Sequence, residues 1–271
     1  MKKVVIGITA IIAAATGYVI GRSTGYKEAS VAPRKRKKKT EDIELSYVMP
    51  CYNEAETIGQ CIDEAFRFLK ENNISGEVLV VDNNSTDDSV AIAEAHGARV
   101  ITEKVQGYGS ALRAGIKAAY GEFIIMGDAD MSYDFYHVND IMARLYEGYD
   151  LVMGRRIPEK GATPWIHKYI GVPALSMMAR IRFGCYITDY HCGIRGMNAE
   201  VFKNFDFTCT GMEFATEMIA VAHDAGCTIT QVDVPLRKDG RSVPPKLDPI
   251  RDGFRHMKYI FIDSFRKSEG Q

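Results

Sequence analysis

The sequence predicts an α/β fold in which a mostly parallel central sheet is flanked by helices. From Glu44 onward, short apolar runs of strand length alternate with stretches of helical period, the pattern of successive βαβ units. Two of these runs end abruptly in acid, at Asp82 and at Asp128-Ala129-Asp130, and the carboxyl ends of parallel strands are where open α/β sheets bind ligands. At 271 residues with 46% hydrophobic content, the chain can bury a full core in one large domain plus an appendage.

The appendage comes first. Residues 4–20 carry no charge and lie between Lys2 and Lys3 on one side and Arg22, Lys27 and the basic run 34–39 on the other. Seventeen residues is the short limit for a spanning helix, and a cleaved secretory signal ending near Ala13, Ala14 and Ala15 competes with that reading. Dense positive charge downstream opposes translocation, so the expectation is an uncleaved single-pass anchor over 1–22. A basic linker over 23–43 then holds the following domain on the cytoplasmic face of the cell membrane. Ala13, Gly17, Gly21 and Gly25 recur every four residues, a stripe that would let two such helices pack as a homo-oligomer, although small residues are common in membrane helices anyway. The run 34–39 suits anionic headgroups as well as it suits a plain linker.

The net charge of -1 therefore hides a basic amino terminus and an acidic remainder. None of the six cysteines forms a C-x-x-C pair, which removes zinc-ribbon and thioredoxin readings. Reduced thiols are expected, and a Cys185–Cys192 bridge would need an oxidising compartment. No nucleic-acid module accompanies the basic run, so nucleic acid is not an expected partner.

Within the domain, the first strand covers 45–49 and stops at Pro50. Cys51, Tyr52, Asn53 and Glu54 then open a helix with apolar positions Ile58, Ile62, Ala65, Phe66 and Leu69. Such a helix start offers free N–H groups, an aromatic and an acid to a ligand, or serves as a plain loop and cap. The second strand, 78–81, ends at Asp82. Ser85 with Asp88 reads as a capping box, which makes Asp87 and Asp88 helix-start residues and leaves Asp82 at the strand tip.

The third strand, 98–101, precedes Gly107-Tyr108-Gly109-Ser110 and a helix through Ala111, Leu112, Gly115, Ile116 and Ala119. The glycines permit close backbone approach, but their spacing is neither a dinucleotide fingerprint nor a Walker loop. The fourth strand begins at Phe123 and delivers Asp128 and Asp130. In extended backbone these side chains share a face, and a turn at Gly127 would make them converge. Two carboxylates with nothing basic between them suit a hard divalent cation holding phosphates, although turns and caps use the same residues. A fifth strand, 150–153, delivers Gly154, Arg155 and Arg156.

The ordered set Pro50-x-Tyr52-Asn53-Glu54, Val81-Asp82-x-x-Ser85-Thr86-Asp87, Gly107-Tyr108-Gly109 and Asp128-Ala129-Asp130 resembles that of family 2 glycosyltransferases, over about 45 to 240. The resemblance implies the glycosyltransferase-A fold, with a nucleotide-sugar across the strand ends and Mg2+ or Mn2+ bridging its diphosphate to Asp128 and Asp130. By the same resemblance Pro50, Tyr52, Glu54 and Asp82 hold the nucleoside, and Asn53, Gly107, Gly109, Ala129 and Glu213 complete the donor site. The chain departs from the pattern at Asn83, where an acid is usual, at Asn84, where glycine is usual, and at Ser132, where an additional glutamine ligand is often found.

The second half resembles the polyprenyl-phosphate sugar synthases, among them the dolichol-phosphate glucose and mannose enzymes and their bacterial relatives. The matching elements are Gly154-x-Arg156, Asp189-Tyr190-His191-Cys192-Gly193-Ile194-Arg195, Gly211-Met212-Glu213-Phe214 with Glu217, and Arg237-x-x-Gly240-x-Ser242. Val243 replaces an expected lysine, while Pro244-Pro245 and Asp252-Gly253-Phe254-Arg255-His256 resemble a bacterial subgroup.

The resemblance implies an inverting transfer of one sugar, from a UDP-glucose or GDP-mannose type of donor to polyprenyl phosphate. A phosphate monoester is already largely dianionic at neutral pH and needs no base to attack the anomeric carbon. What the protein must supply is positive charge for two phosphates in one cleft. Arg156, Arg195 and Arg241 provide donor forks at the acceptor phosphate, where Lys168 and Ser242 join them, His167 or Lys168 adds charge, and Asp189 orients sugar hydroxyls or Arg195. The catalytic set is then Asp128, Asp130, Asp189, Arg156 and Arg195, with a surface ion pair as the plain alternative for each arginine.

Two further stretches bear on the membrane. Trp165, Ile166, Tyr169, Ile170, Leu175, Met177, Met178 and Ile181 form either an interfacial helix or a core helix. After a catalytic domain over 44–248, the segment 249–271 places Phe254, Met257, Ile260, Phe261 and Phe265 beside Arg251, Arg255, His256, Lys258 and Arg266, suiting membrane docking or packing on the domain. The other functions open to the chain are transfer to a different lipid or a soluble acceptor, or a membrane-anchored scaffold without catalysis. A nucleotide-sugar pyrophosphorylase would need a Gly-rich Arg-Lys signature near the first strand, which is absent.

Overall fold

The structure, a computed structural model, describes residues 43–159, 161, 162, 172–242 and 249–263. The anchor at 1–22, nearly all of the linker, the small-residue stripe, the stretch from Trp165 to Ile170 with His167 and Lys168, the segment 243–245 and the last residues of the carboxyl-terminal segment lie outside these.

The strands are β1 (Leu45–Cys51), β2 (Gly76–Asp82), β3 (Arg99–Thr102), β4 (Phe123–Met126), β5 (Leu151–Pro158), β6 (Arg195–Asn198) and β7 (Ile229–Leu236). The helices are α1 (Ile58–Glu71), α2 (Ser89–Ala95), α3 (Tyr108–Ala118), α4 (Asn139–Tyr146), α5 (Val172–Phe183), α6 (Ala199–Phe202), α7 (Phe214–Asp224) and α8 (Pro249–Lys258), the last continuing into a π-helical turn (Tyr259–Asp263). Among the described residues no helix is long and apolar enough to cross a membrane.

One seven-stranded sheet runs in the order β3-β2-β1-β4-β6-β5-β7. All its pairings are parallel except those of β6, which is antiparallel to both β4 and β5. The mostly parallel α/β sheet expected from the sequence is present. The order reverses at β1, whose neighbours β2 and β4 lie on opposite sides, and a crevice opens there at the carboxyl ends. Register explains the crevice. β1 pairs with β2 as far as Cys51↔Asp82, but with β4 only as far as Val48↔Met126. Beyond Val48 the strand has a neighbour on one side only, so β1 continues through Pro50, which has no N–H to give to a ladder.

β1 is buried on both faces, as a central parallel strand must be. Leu45, Tyr47 and Met49 pack with Ile58, Ile62, Ala65 and Phe68 of α1 on one side. Val48 packs with Leu79, Val81, Leu112, Ile116 and Met218 on the other. Gly115 of α3 permits this second layer to close, since a Cβ there would stand 2.4 Å from Val48 Cγ1 and 2.9 Å from Val81 Cγ2. Cys185 and Cys192 are separate free thiols, so the bridge is not formed.

Candidate functional site

The β1–α1 loop is tied to the segment after β2. Asn53, in a left-handed conformation (φ 53°), accepts from Thr86 N at 2.7 Å through Oδ1 while its own N–H donates to Ser85 Oγ at 3.0 Å. Glu54 N donates to Ser89 Oγ at 2.7 Å and Ala55 N to Asp87 Oδ2 at 3.2 Å. The free N–H groups expected at this helix start are therefore used within the protein. The capping box is corrected as well: α2 begins at Ser89 after Asp88 with no side-chain cap bond, and Asp87 accepts from Ser89 and Ala55 instead. Tyr52 is 37% exposed at the mouth of the crevice loop, and Asp82 is buried at the β2 tip with Oδ1 accepting from Ser85 N.

Asn83 explains its own departure from the family pattern. Its Nδ2 donates to Glu103 O (2.8 Å) and Val105 O (3.0 Å), and its Oδ1 accepts from Gly107 N (2.7 Å). A carboxylate could not donate the first two. Gly107 (φ 146°) and Gly109 were expected to admit a ligand, but what approaches them is protein. A Cβ at Gly107 would lie 2.1 Å from Thr210 O, and one at Gly109 would lie 2.6 Å from Cys209 O. Buried Glu217 fixes that 208–210 segment by accepting from Thr208 N, Thr208 Oγ1 and Cys209 N.

At the β4 tip, Ala129 is buried and its carbonyl accepts from Thr57 Oγ1 at 2.7 Å, which locks the tip to the start of α1. Asp128 lies between Tyr108, whose hydroxyl bonds to it, and Gly193, where a Cβ would stand 2.4 Å from its Oδ2. Burial, then repulsion from Asp130, pushes the Asp128 carboxyl up to about 7. Asp130 uses Oδ1 to accept from Ser132 N (3.0 Å) and Ser132 Oγ (2.5 Å), while Oδ2 meets Arg241 Nη2 at 3.0 Å. Met131, next in line, is held at φ 67°, a costly conformation for a residue with a side chain.

The cations divide into those that face the crevice and those that do not. Arg156 grips Asp189 through Nε and Nη2 at 2.7 and 2.8 Å, and its N–H donates to the same carboxylate. Asp189 thus orients Arg156, where the sequence reading had it orient sugar hydroxyls or Arg195. Arg195 is fully buried and spends its guanidinium on main-chain carbonyls: Cys192 O at 2.9 Å, Ala215 O at 2.8 Å and Tyr190 O at 3.0 Å. The expected phosphate contact of Arg195 is corrected to a structural one. Its interior position lowers its pKa, since burial disfavours the charge. Arg155 forms an exposed pair with Asp233, as the plain reading of that residue held.

Glu213, expected at the donor, is engaged by Arg255 of α8, with Nε 2.8 Å from Oε2 and Nη2 3.0 Å from Oε1. Ser242, expected at the acceptor phosphate, donates through N and Oγ to Glu56. His191 and His256 meet edge to face at 4.5 Å, and His256 Nδ1 pairs with Thr216 Oγ1 at 2.9 Å. Sequence reasoning gave no role to Thr57, Tyr108, Tyr133, His191 or Asp239, which touch the site or its supports, Tyr133 by accepting from Gly193 N at 2.8 Å, and it read Arg255 only as part of a membrane-docking or packing segment. Tyr108, His191, Asp239 and Arg255 lay inside quoted motifs, but only the folded chain shows their partners.

The result is a cluster at the sheet's reversal point in which Glu54, Asp82, Asp128 and Asp130 gather after the ends of β1, β2 and β4, with Arg241 paired to Glu54 and Asp130 and the charges of Arg156 and Arg241 acting on Asp128. Among the described residues no group of three or more His, Cys, Asp and Glu side chains is placed to hold a metal by itself. A cation here would draw at most two protein carboxylates and take its remaining oxygens from a ligand and water, the habit of Mg2+ on phosphates.

The model of glycosyl transferase family 2 matches residues 46–205. A Haloferax volcanii protein described as low-salt glycan biosynthesis hexosyltransferase Agl6 is 34% identical over 225 residues, 81% of this chain but 54% of that protein, so the chain spans about half its length. A dolichyl-phosphate hexose transferase of the same organism is 30% identical over 211 residues, 78% of this chain and 89% of that one. Among solved structures, glucosyl-3-phosphoglycerate synthase from Mycobacterium tuberculosis, in complex with Mn2+, UDP and glucosyl-3-phosphoglycerate, superposes with a TM-score of 0.65. That pair is 22% identical, covers 88% of this chain and 82% of the other, and establishes likeness of fold.

Proposed function

The chain belongs to glycosyl transferase family 2, and on that premise we propose that it transfers one hexose, with inversion, from a UDP-glucose or GDP-mannose type of donor to polyprenyl phosphate at the cytoplasmic membrane face. One observation carries this reading most directly: an acid pair at the β4 tip stands at the sheet's reversal point and is opposed in the same crevice by Arg156, held in place by Asp189. The name of the Haloferax dolichyl-phosphate hexose transferase supports the lipid acceptor.

The residues present fit a divalent cation, Mg2+ or Mn2+, at Asp128 and Asp130, whose carboxylates are hard oxygen donors in a site where acids outnumber cations. Bound there, the ion would offset charge on the departing nucleoside diphosphate. In this reading Pro50, Tyr52, Asn53 and Glu54, on β1 and the loop after it, and Asp82, at the β2 tip, serve the donor's nucleoside end. Asp189 uses two of the five N–H donors of Arg156, so the remaining edge of that fork can receive a phosphate. No general base is required, because the attacking phosphate oxygen carries no proton to remove.

The membrane placement has local support. On α8 and the π-helical turn, Phe254, Phe261 and Ile262 are exposed together with Arg251 and Lys258, while His256, Tyr259 and Ile260 face inward. That division suits a helix lying at a bilayer surface.

The test is incubation of the full chain with a panel of UDP- and GDP-sugars, Mg2+ or Mn2+, and a short polyprenyl phosphate, reading the lipid by mass. A lipid-phosphate hexose product is expected. Transfer only to soluble acceptors, or to none, would overturn the reading.

A further inference from the structure

We propose that Arg241 is a displaceable counter-cation: its guanidinium closes the crevice across Glu54 and Asp130 and yields this place to the metal–diphosphate donor. This rests on the reading of Asp130 as a cation ligand. Asp130 Oδ1 already accepts two hydrogen bonds from Ser132, so Oδ2 is the oxygen a metal would take, and Arg241 Nη2 sits 3.0 Å from it. Nη1 of the same guanidinium lies 3.1 Å from Glu54 Oε1. One side chain, only 9% exposed, thereby links the acid following β1 to the acid following β4, two neighbouring strands of the sheet.

The backbone that carries Arg241 is laid directly on the Asp130 turn. Arg237 N donates to Ser132 O and Gly240 N to Asp130 O, both at 2.9 Å. Gly240 makes the approach possible, since a Cβ there would already stand 3.1 Å from Met131 Cβ. Asp239, on the same loop, holds Arg241 through Nε at 3.0 Å and through Nη2 at 2.5 Å. This local tether keeps the guanidinium at the rim when Asp130 and Glu54 let go.

Charge decides the direction of the exchange. One guanidinium faces three carboxylates, Glu54, Asp130 and Asp239, so the cluster carries excess negative charge that a divalent ion neutralises better than Arg241 does. Arriving alone, the ion must compete with a bidentate, nearly buried partner. Arriving with a diphosphate, it brings the anion that the released Arg241 can bind.

The experiment is titration of the full chain, in detergent micelles, with Mn2+ in the absence of nucleotide, free Mn2+ being read by electron paramagnetic resonance. Arg241→Gln, which frees Asp130 Oδ2 of its ion pair, is expected to bind Mn2+ about ten-fold tighter than the native chain, the effect of losing about 1.4 kcal/mol of competition. Arg241→Lys, whose ammonium cannot span both acids, is expected to fall between the two, and thermal melting identifies any variant that has not folded. Asp130→Asn should lose the binding. If Arg241→Gln and Arg241→Lys bind no tighter than the native chain while Asp130→Asn still abolishes binding, the latch is wrong and the cation reading stands. If Asp130→Asn changes nothing in any background, both fall.

Discussion

Asparagine at position 83 shows how a single atom type is selected by the fold. Two carbonyls and one N–H converge on it, and only an amide satisfies all three. Asn83→Asp, although it brings in the acid usual in the family, should therefore destabilise the protein by about 2–4 kcal/mol, read as a lower denaturant midpoint at unchanged slope. Arg195 makes a parallel case. Arg195→Met strips the donor from three buried carbonyls, and a loss of about 3 kcal/mol or more in unfolding free energy is expected from the same measurement. Asp130→Asn is the opposite kind of change. Its side chain lies at the crevice surface and Ser132 can still bond to an amide oxygen, so turnover should vanish with little change in melting temperature. Unchanged turnover would remove Asp130 from the donor site.

At the scale of the element, α8 is the helix whose role the sequence left most open. Its inner face reaches the site's supports, with Arg255 on Glu213 and His256 against Thr216 and His191. Burial, followed by the nearby charges of Glu213, which raises it, and Arg195 and Arg255, which lower it, brings His256 down to about 4. His191 is depressed too, by burial, by His256, and by Arg156 and Arg195. Both rings are therefore neutral in the folded protein near pH 6, while the unfolded chain binds protons below about 6.5. More protons on the unfolded state means that stability rises with pH there, so it should fall as pH drops from about 6.5 to about 4. His256 alone accounts for about 3 kcal/mol of this. Urea unfolding at a series of pH values would show it, and His256→Asn should flatten the slope in that window.

For the whole molecule, the anchor reading gives a separable prediction. A chain starting at residue 43 keeps every element of the sheet, since β1 begins at Leu45. It should transfer sugar to short, soluble polyprenyl phosphates while binding less to membranes, as sedimentation with vesicles would measure. If the shortened chain still sediments fully, the outer face of α8 is sufficient to hold it. The architecture itself was legible in part. β1 to β4 each end where a polar cluster interrupts an apolar run, and that pattern was visible, whereas β5 runs on past the 150–153 of the sequence reading through Arg155 and Arg156 to Pro158, because β7 pairs with it there. β6 was not legible, because Arg195-Gly196-Met197-Asn198 has neither a β-branched residue nor an apolar run. Its strand character comes from pairing with β4 on one side and β5 on the other. β7 does carry an alternating signal, with Val232, Val234 and Leu236 two residues apart.

By itself, then, the sequence determined the alternation of strands and helices, the ordered motifs of the family and the placing of acid at strand tips, because these are properties of neighbouring residues along one chain. Tertiary structure decided which charges meet. Arg156 found Asp189 from 33 residues away, and Arg241 found Glu54 from 187. Arginines with equal claims in the sequence were sorted into one buried among carbonyls and two facing the crevice. Long-range partners are selected by sheet order and register, and neither is written in the spacing of any one motif.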